Sequence, residues 1–110
     1  MGNRDRACMA VFKTPHISKD GTVTVCCTDF RLLMALGNIN EQSLEEIWFG
    51  KKATELRLMH IKGEQEKILS CKYCIRDFPM PDEEVVAYLK YIGREDLIKP
   101  YLERVKSPLI

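Results

Sequence analysis

His16-Ile17-Ser18-Lys19-Asp20-Gly21-Thr22-Val23-Thr24-Val25-Cys26-Cys27 is the stretch from which the fold is read. An Asp-Gly pair between two β-prone runs favours a tight turn with positive φ. Residues 16–19 and 22–27 are therefore expected to pair as a hairpin. Side chains alternate across a strand, which sets Thr22, Thr24 and Cys26 on one face and Val23, Val25 and Cys27 on the other. Unless a bulge intervenes, only one of the two adjacent cysteines can face a given metal.

Working outward, Cys8 lies upstream and the tight pair Cys71-Lys72-Tyr73-Cys74 downstream, so all five cysteines of the chain fall between residues 8 and 74. Thiolates are soft ligands that favour zinc, copper(I) and iron–sulfur clusters over magnesium and calcium. Three readings of the set stand open. The cysteines can be small buried hydrophobes, a closed tetrahedral zinc site, or the ligands of a cubane [4Fe-4S] cluster. Zinc ribbons usually present two tight Cys-x-x-Cys knuckles where this chain has one. A cluster is wider than a single ion and takes ligands from separated elements, which suits the spacing better. A dithiol oxidoreductase built on Cys71 and Cys74 needs a strand-to-helix context that is not evident.

The segment 30–36 is apolar without a clear period and is expected to be irregular or partly extended, with Gly37-Asn38 ending it as a turn. Ser43-Leu44-Glu45-Glu46 has the form of a capping box and starts a helix with Leu44, Ile47 and Trp48 as its apolar stripe. A second helix is expected over 51–62, with Leu56, Met59 and His60 along one side and Gly63 as its cap. Trp48 reads as core, and His60 as packing or a hydrogen bond behind a ligand; His16 is expected to be exposed. Pro79 and Pro81 mark a boundary. Beyond it a helix should run to about residue 92 with Val85, Leu89 and Ile92 inward. A last helical segment carries Leu97 to Val105, with Pro100 as its kink or its first turn, and residues 107–110 are expected to fray.

At 110 residues the chain is one small domain, or one domain with a helical appendage. Charged residues make up 30 % but the formal net charge is +1, so no global field exists to hold nucleic acid or an acidic membrane. No stretch approaches the roughly 20 apolar residues that span a bilayer, and no secretory segment opens the chain. A cytoplasmic monomer is expected, and in a reducing compartment an odd number of cysteines argues against disulfides.

Taken together, Cys8-x12-Gly21-x4-Cys26 and Cys71-x2-Cys74 resemble the SPASM domain, the auxiliary-cluster domain of many radical S-adenosylmethionine enzymes. The text between agrees: Ile17 to Val23 before the Cys-Cys-x-Asp of Cys26 to Asp29, then Leu36-Gly37-Asn38-Ile39, Ser43 to Trp48, and Leu56-Arg57. The resemblance implies a small α+β fold, a β-hairpin followed by helices around a cysteine-ligated cluster, over residues 8–78. Residues 79–110 are then a C-terminal helical extension packed on it. It also implies one [4Fe-4S] cluster held by Cys8, Cys26, Cys71 and Cys74. Cys27 stands as the alternative to Cys26, which the family's glycine-to-cysteine spacing selects.

The seven-cysteine family pattern continues past the Cys-x-x-Cys pair and serves two clusters; nothing follows Cys74 here, so one cluster is expected. No Cys-x3-Cys-x2-Cys motif occurs, so the chain is not expected to be catalytic alone. Its implied role is electron transfer or substrate docking beside a radical S-adenosylmethionine core, as a domain or a free-standing accessory, with a peptide or protein substrate as a further candidate partner. Asp29, Arg31, Lys72 and Tyr73 flank the implied site. The rival reading is a zinc-stabilised interaction module.

Overall fold

The computed structural model describes residues 6–25, 34–68 and 79–109. Its first fixed point is the turn at Asp20-Gly21. Gly21 takes φ +93°, a conformation that costs glycine little. Asp20 Oδ1 accepts the Thr22 N–H at 3.1 Å and the Ser18 hydroxyl. These bonds close the antiparallel pair β1 (His16–Ile17) and β2 (Thr22–Thr24) in the register His16 to Thr24 and Ile17 to Val23. His16 is exposed.

The sheet has a third strand that the turn signal at Gly37-Asn38 did not announce. β3 (Gly37–Asn38) pairs antiparallel with the other edge of β2, Val23 opposite Gly37, giving the order β1-β2-β3. The Leu36 N–H donates to Val23 O at 2.8 Å, and the side-chain amides of Asn38 and Asn40 both reach Asp20 O. A Cβ on Gly37 would come within 3.1 Å of Ile47. The glycine is there to let the next helix lie close on the sheet, not to turn the chain.

That helix, α2 (Leu44–Trp48), carries the expected capping box: Ser43 Oγ accepts from Glu46 N, and Glu46 Oε1 from Ser43 N, both at 3.1 Å. The stripe is narrower than expected. Ile47 is buried and Trp48 half-buried, but Leu44 is exposed, because a helix of little more than one turn offers a single inward position. α3 (Lys51–Ile61) follows and, like the later helix Asp82–Tyr91, ends at a glycine with φ +76°, Gly63 and Gly93 respectively.

Two apolar cores meet along α3. Val11, Val23, Val25, Leu36, Ile47 and Ala53 belong to the core beneath the sheet, together with Met34 and Ile68. Ala7, Ile61, Met80, Val85, Leu89 and Tyr101 belong to the second, with Leu102 and Val105. Phe12, in the short helix α1 (Ala10–Lys13), packs against both. Among the described residues the helical elements are α1, α2, α3, then α4 (Asp82–Tyr91) and α5 (Ile98–Arg104), with 3-10 turns at Gln65–Lys67 and Glu95–Leu97. With its small antiparallel sheet the fold is α+β.

Val85 and Leu89 are fully buried on α4, while Ile92 is half-buried. Pro100 lies in the first turn of α5, where its missing N–H leaves no helical bond unmade. The tail departs from expectation. Lys106 turns the chain at φ 54°, Ser107 is buried, its N–H donates to Leu102 O at 2.9 Å, and its hydroxyl accepts from Leu109 N at 3.1 Å. Ser107 is thus tied to α5 and in turn holds the Leu109 N–H, while the Leu109 side chain stays exposed. Among the described residues no helix is long and apolar enough to cross a membrane.

Candidate metal centre

Arg6, Ala7 and Cys8 form a strip whose polar backbone groups are bonded by side chains and by the segment at Pro79 and Met80. Arg6 O accepts from Gln65 Nε2 at 2.9 Å. The Arg6 guanidinium grips Asp82 with two bonds, Nε to Oδ1 at 3.0 Å and Nη2 to Oδ2 at 3.1 Å. Ala7 N donates to the Tyr101 phenol oxygen at 3.0 Å, Ala7 O accepts from Met80 N at 2.8 Å, and Cys8 is bridged antiparallel to Pro79. Burial raises the Tyr101 pKa, so its phenol stays neutral.

The Cys8 N–H donates to Nδ1 of His60 at 3.2 Å. His60 is 2 % exposed, and burial pushes its pKa down to about 4, so the ring is the neutral tautomer with its proton on Nε2. The imidazole thus fixes the backbone of Cys8. Cys8 itself is half-buried.

One turn before His60, Arg57 was noted in the sequence only as part of a family phrase. It is 3 % exposed, and its Nε donates to Val11 O at 2.7 Å. Its guanidinium lies 4.7 Å from the centroid of Trp48 and 5.7 Å from that of Tyr88, and Tyr88 meets Phe12 edge to face at 5.1 Å. Trp48 is therefore partly core and partly a lid on a cation. Among the described residues Arg57 Nη2 has no hydrogen-bond partner and no carboxylate forms an ion pair with it. An arginine three positions before a buried histidine, on a helix with a thin apolar stripe, was the one sequence signal for it.

Cys26, Cys27, Cys71 and Cys74, with Asp29, Arg31, Lys72 and Tyr73, lie outside the described residues. Among the described residues no three metal-binding side chains come together. The residues that are described fit an anionic, thiolate-bound group on two counts. Cys8 is presented on a backbone held from several sides, and an uncompensated buried cation stands on the same face of α3 as the histidine that holds it.

An α+β module that displays a pinned cysteine where its two cores meet is the class this geometry defines. The chain matches the family SPASM, iron-sulfur cluster-binding domain, over residues 8–75, and belongs to it. It is 35 % identical over 68 residues to the S-adenosyl-L-methionine-dependent 2-deoxy-scyllo-inosamine dehydrogenase of Niallia circulans. That similarity covers 62 % of this chain and 27 % of the relative. Its fold is similar to the crystal structure of selenomethionine BtrN in an open conformation, with a TM-score of 0.61 and 32 % identity over 67 % of this chain and 35 % of that one. The chain thus spans about a third or less of the length of these proteins. Neither the family match nor the fold supports the zinc reading.

Proposed function

We propose that this chain is a single-cluster auxiliary module in which Cys8, Cys26, Cys71 and Cys74 hold one [4Fe-4S] cluster, working beside a radical S-adenosylmethionine core in electron transfer or substrate docking. Cys26 serves rather than Cys27, and residues 79–110 act as a helical extension of the cluster-binding domain 8–78. The setting is cytoplasmic, the module is monomeric, and the radical-generating core is supplied by a longer chain or a partner.

The observation that carries this reading is the family match, which begins at Cys8 and runs past Cys74, taken with the way the fold grips Cys8. The flanks of the other cysteines lend support. Val25, the neighbour of Cys26, has its carbonyl oxygen 3.3 Å from the Thr14 hydroxyl and shares a core with Val11 and Ile68. Pro79 pairs with Cys8.

When bound, the cluster supplies a one-electron acceptor or donor. The chain's own residues orient and insulate. His60 and the 6–8 strip fix the first ligand, Arg57 brings positive charge, and the two apolar cores keep water from its surroundings. Hydrogen bonding and burial of this kind set a cluster's potential.

Anaerobic reconstitution with iron and sulfide should give a brown protein with about four irons per chain, and Cys71→Ala should abolish it. A colourless, iron-free product from the unaltered chain would overturn the proposal.

A further inference from the structure

We infer that Arg57 is the buried counter-charge of the iron–sulfur centre and raises its reduction potential. The inference rests on the proposed function and deepens it, because it assigns an electrostatic role to a residue outside the ligand set.

The described residues leave the charge of Arg57 unbalanced. Arginine keeps its proton under all ordinary conditions. At 3 % exposure this one has given up water, yet among the described residues it meets no carboxylate, and its Nη2 is buried without an acceptor. Its Nε bond to Val11 O and the faces of Trp48 and Tyr88 offset only part of that loss. A buried, uncompensated cation is strongly unfavourable unless an anion completes it.

The position of the charge names the anion. Val11, which holds Nε, lies three residues after Cys8, and His60, which holds the Cys8 amide, lies one turn further along the same face of α3. Arg57 is therefore built into the frame that presents the first proposed ligand. A cubane with four thiolates is a net anion, and reduction adds one more negative charge without making or breaking a bond. A fixed positive charge in a water-poor site stabilises the reduced form more than the oxidised one, so the potential rises.

Tyr88 extends the point to the helices beyond the family match. It is carried by α4, and with Trp48 it encloses the guanidinium. The C-terminal extension thus helps to keep the charge dry.

The test is a comparison of the unaltered chain with Arg57→Lys and Arg57→Met. Each is reconstituted anaerobically and assayed for iron and sulfide, then titrated with dithionite through mediators while the reduced cluster is read by electron paramagnetic resonance. Arg57→Met should lower the ratio of reduced to oxidised cluster about tenfold at a fixed poise, a shift of about 59 mV for one electron. Arg57→Lys, which keeps the charge, should retain most of the original potential.

Loaded variants that all titrate with the unaltered midpoint would overturn the inference while leaving the cluster reading intact. An iron-free unaltered chain would overturn both. If Arg57→Met does not load, the unaltered protein labelled with 15N-arginine decides. The Arg57 Nε–H resonance should broaden on reduction far more than that of exposed Arg94, and equal behaviour of the two would overturn the proposal.

Discussion

His60 accepts the backbone N–H of Cys8 through Nδ1 at 3.2 Å, across 52 residues of sequence. The bond joins the start of the family's matched region to the last turn of α3, and it makes a buried histidine the support of a cysteine's backbone. A neutral ring suits that task, because a protonated one would turn the acceptor into a second donor facing an N–H.

His60→Leu should therefore destabilise the fold by about 2–4 kcal/mol, since it strands a buried N–H and alters packing at a site that is 2 % exposed. His60→Asn can present a carbonyl oxygen in place of Nδ1 and should recover part of the loss. Urea unfolding of the three proteins measures this. Equal stability of the Leu and Asn variants would show that volume, not the hydrogen bond, decides.

The bidentate grip of Arg6 on Asp82 predicts a pH dependence. The Arg6 hydrogen bonds hold the Asp82 carboxyl below the usual carboxylate range, against burial, which acts the other way. A lowered folded pKa gives stability that is present above the unfolded value near 4 and is lost as pH falls through the folded one. The Tm difference between the unaltered chain and Asp82→Asn should be constant from about pH 5 to 7 and shrink below about pH 4. A difference that persists into acid would assign the effect to shape.

Local signals made part of this fold legible. Asp20-Gly21 and Ser43 with Glu46 satisfy their own backbone neighbours, so the hairpin and the start of α2 could be read directly. Gly37-Asn38 could not: the pair has turn chemistry, and only the Val23 edge and the close pass of Ile47 make it a strand. Leu44 was misjudged because an apolar residue at the first position of a one-turn helix has nothing to face. Ser107 was expected to be loose because its anchor, Leu102 O, is visible only once α5 exists. In the site, the resemblance drew attention to cysteines, while the groups that hold Cys8 and the buried charge at Arg57 come from residues 46 to 94 positions away and leave no local pattern.

The capping box gives a prediction confined to α2. Ser43→Ala removes the acceptor for Glu46 N and should cost about 1 kcal/mol. The Ser43 backbone N–H, which contributes most, and the Ser43 hydroxyl both donate to Glu46 and lower its pKa; the variant keeps the first and loses the second, so that carboxyl should move part of the way back toward its ordinary value. Carboxyl carbon NMR checks the titration. An unchanged Glu46 would mean that the Ser43 hydroxyl does not hold that carboxyl in solution.

Removal of the metal should loosen the two cores unequally. The core under the sheet includes Val25 and Ile68, which lead directly into the segments that carry Cys26 and Cys71, whereas most of the second core comes from Met80 and the residues after it, beyond the last cysteine. Ligation free energy becomes folding free energy when the site does not exist in the unfolded chain, and it acts first on the segments that lead into the ligands. Hydrogen exchange with and without the cluster should therefore show a large loss of protection at the amides of Val23 and Leu36 and a small one at Leu89 and Leu102. The ratio matters more than either loss. Equal losses would mean that α3 couples the cores into one cooperative unit, and a loss confined to α4 and α5 would show that the cluster does not support the sheet.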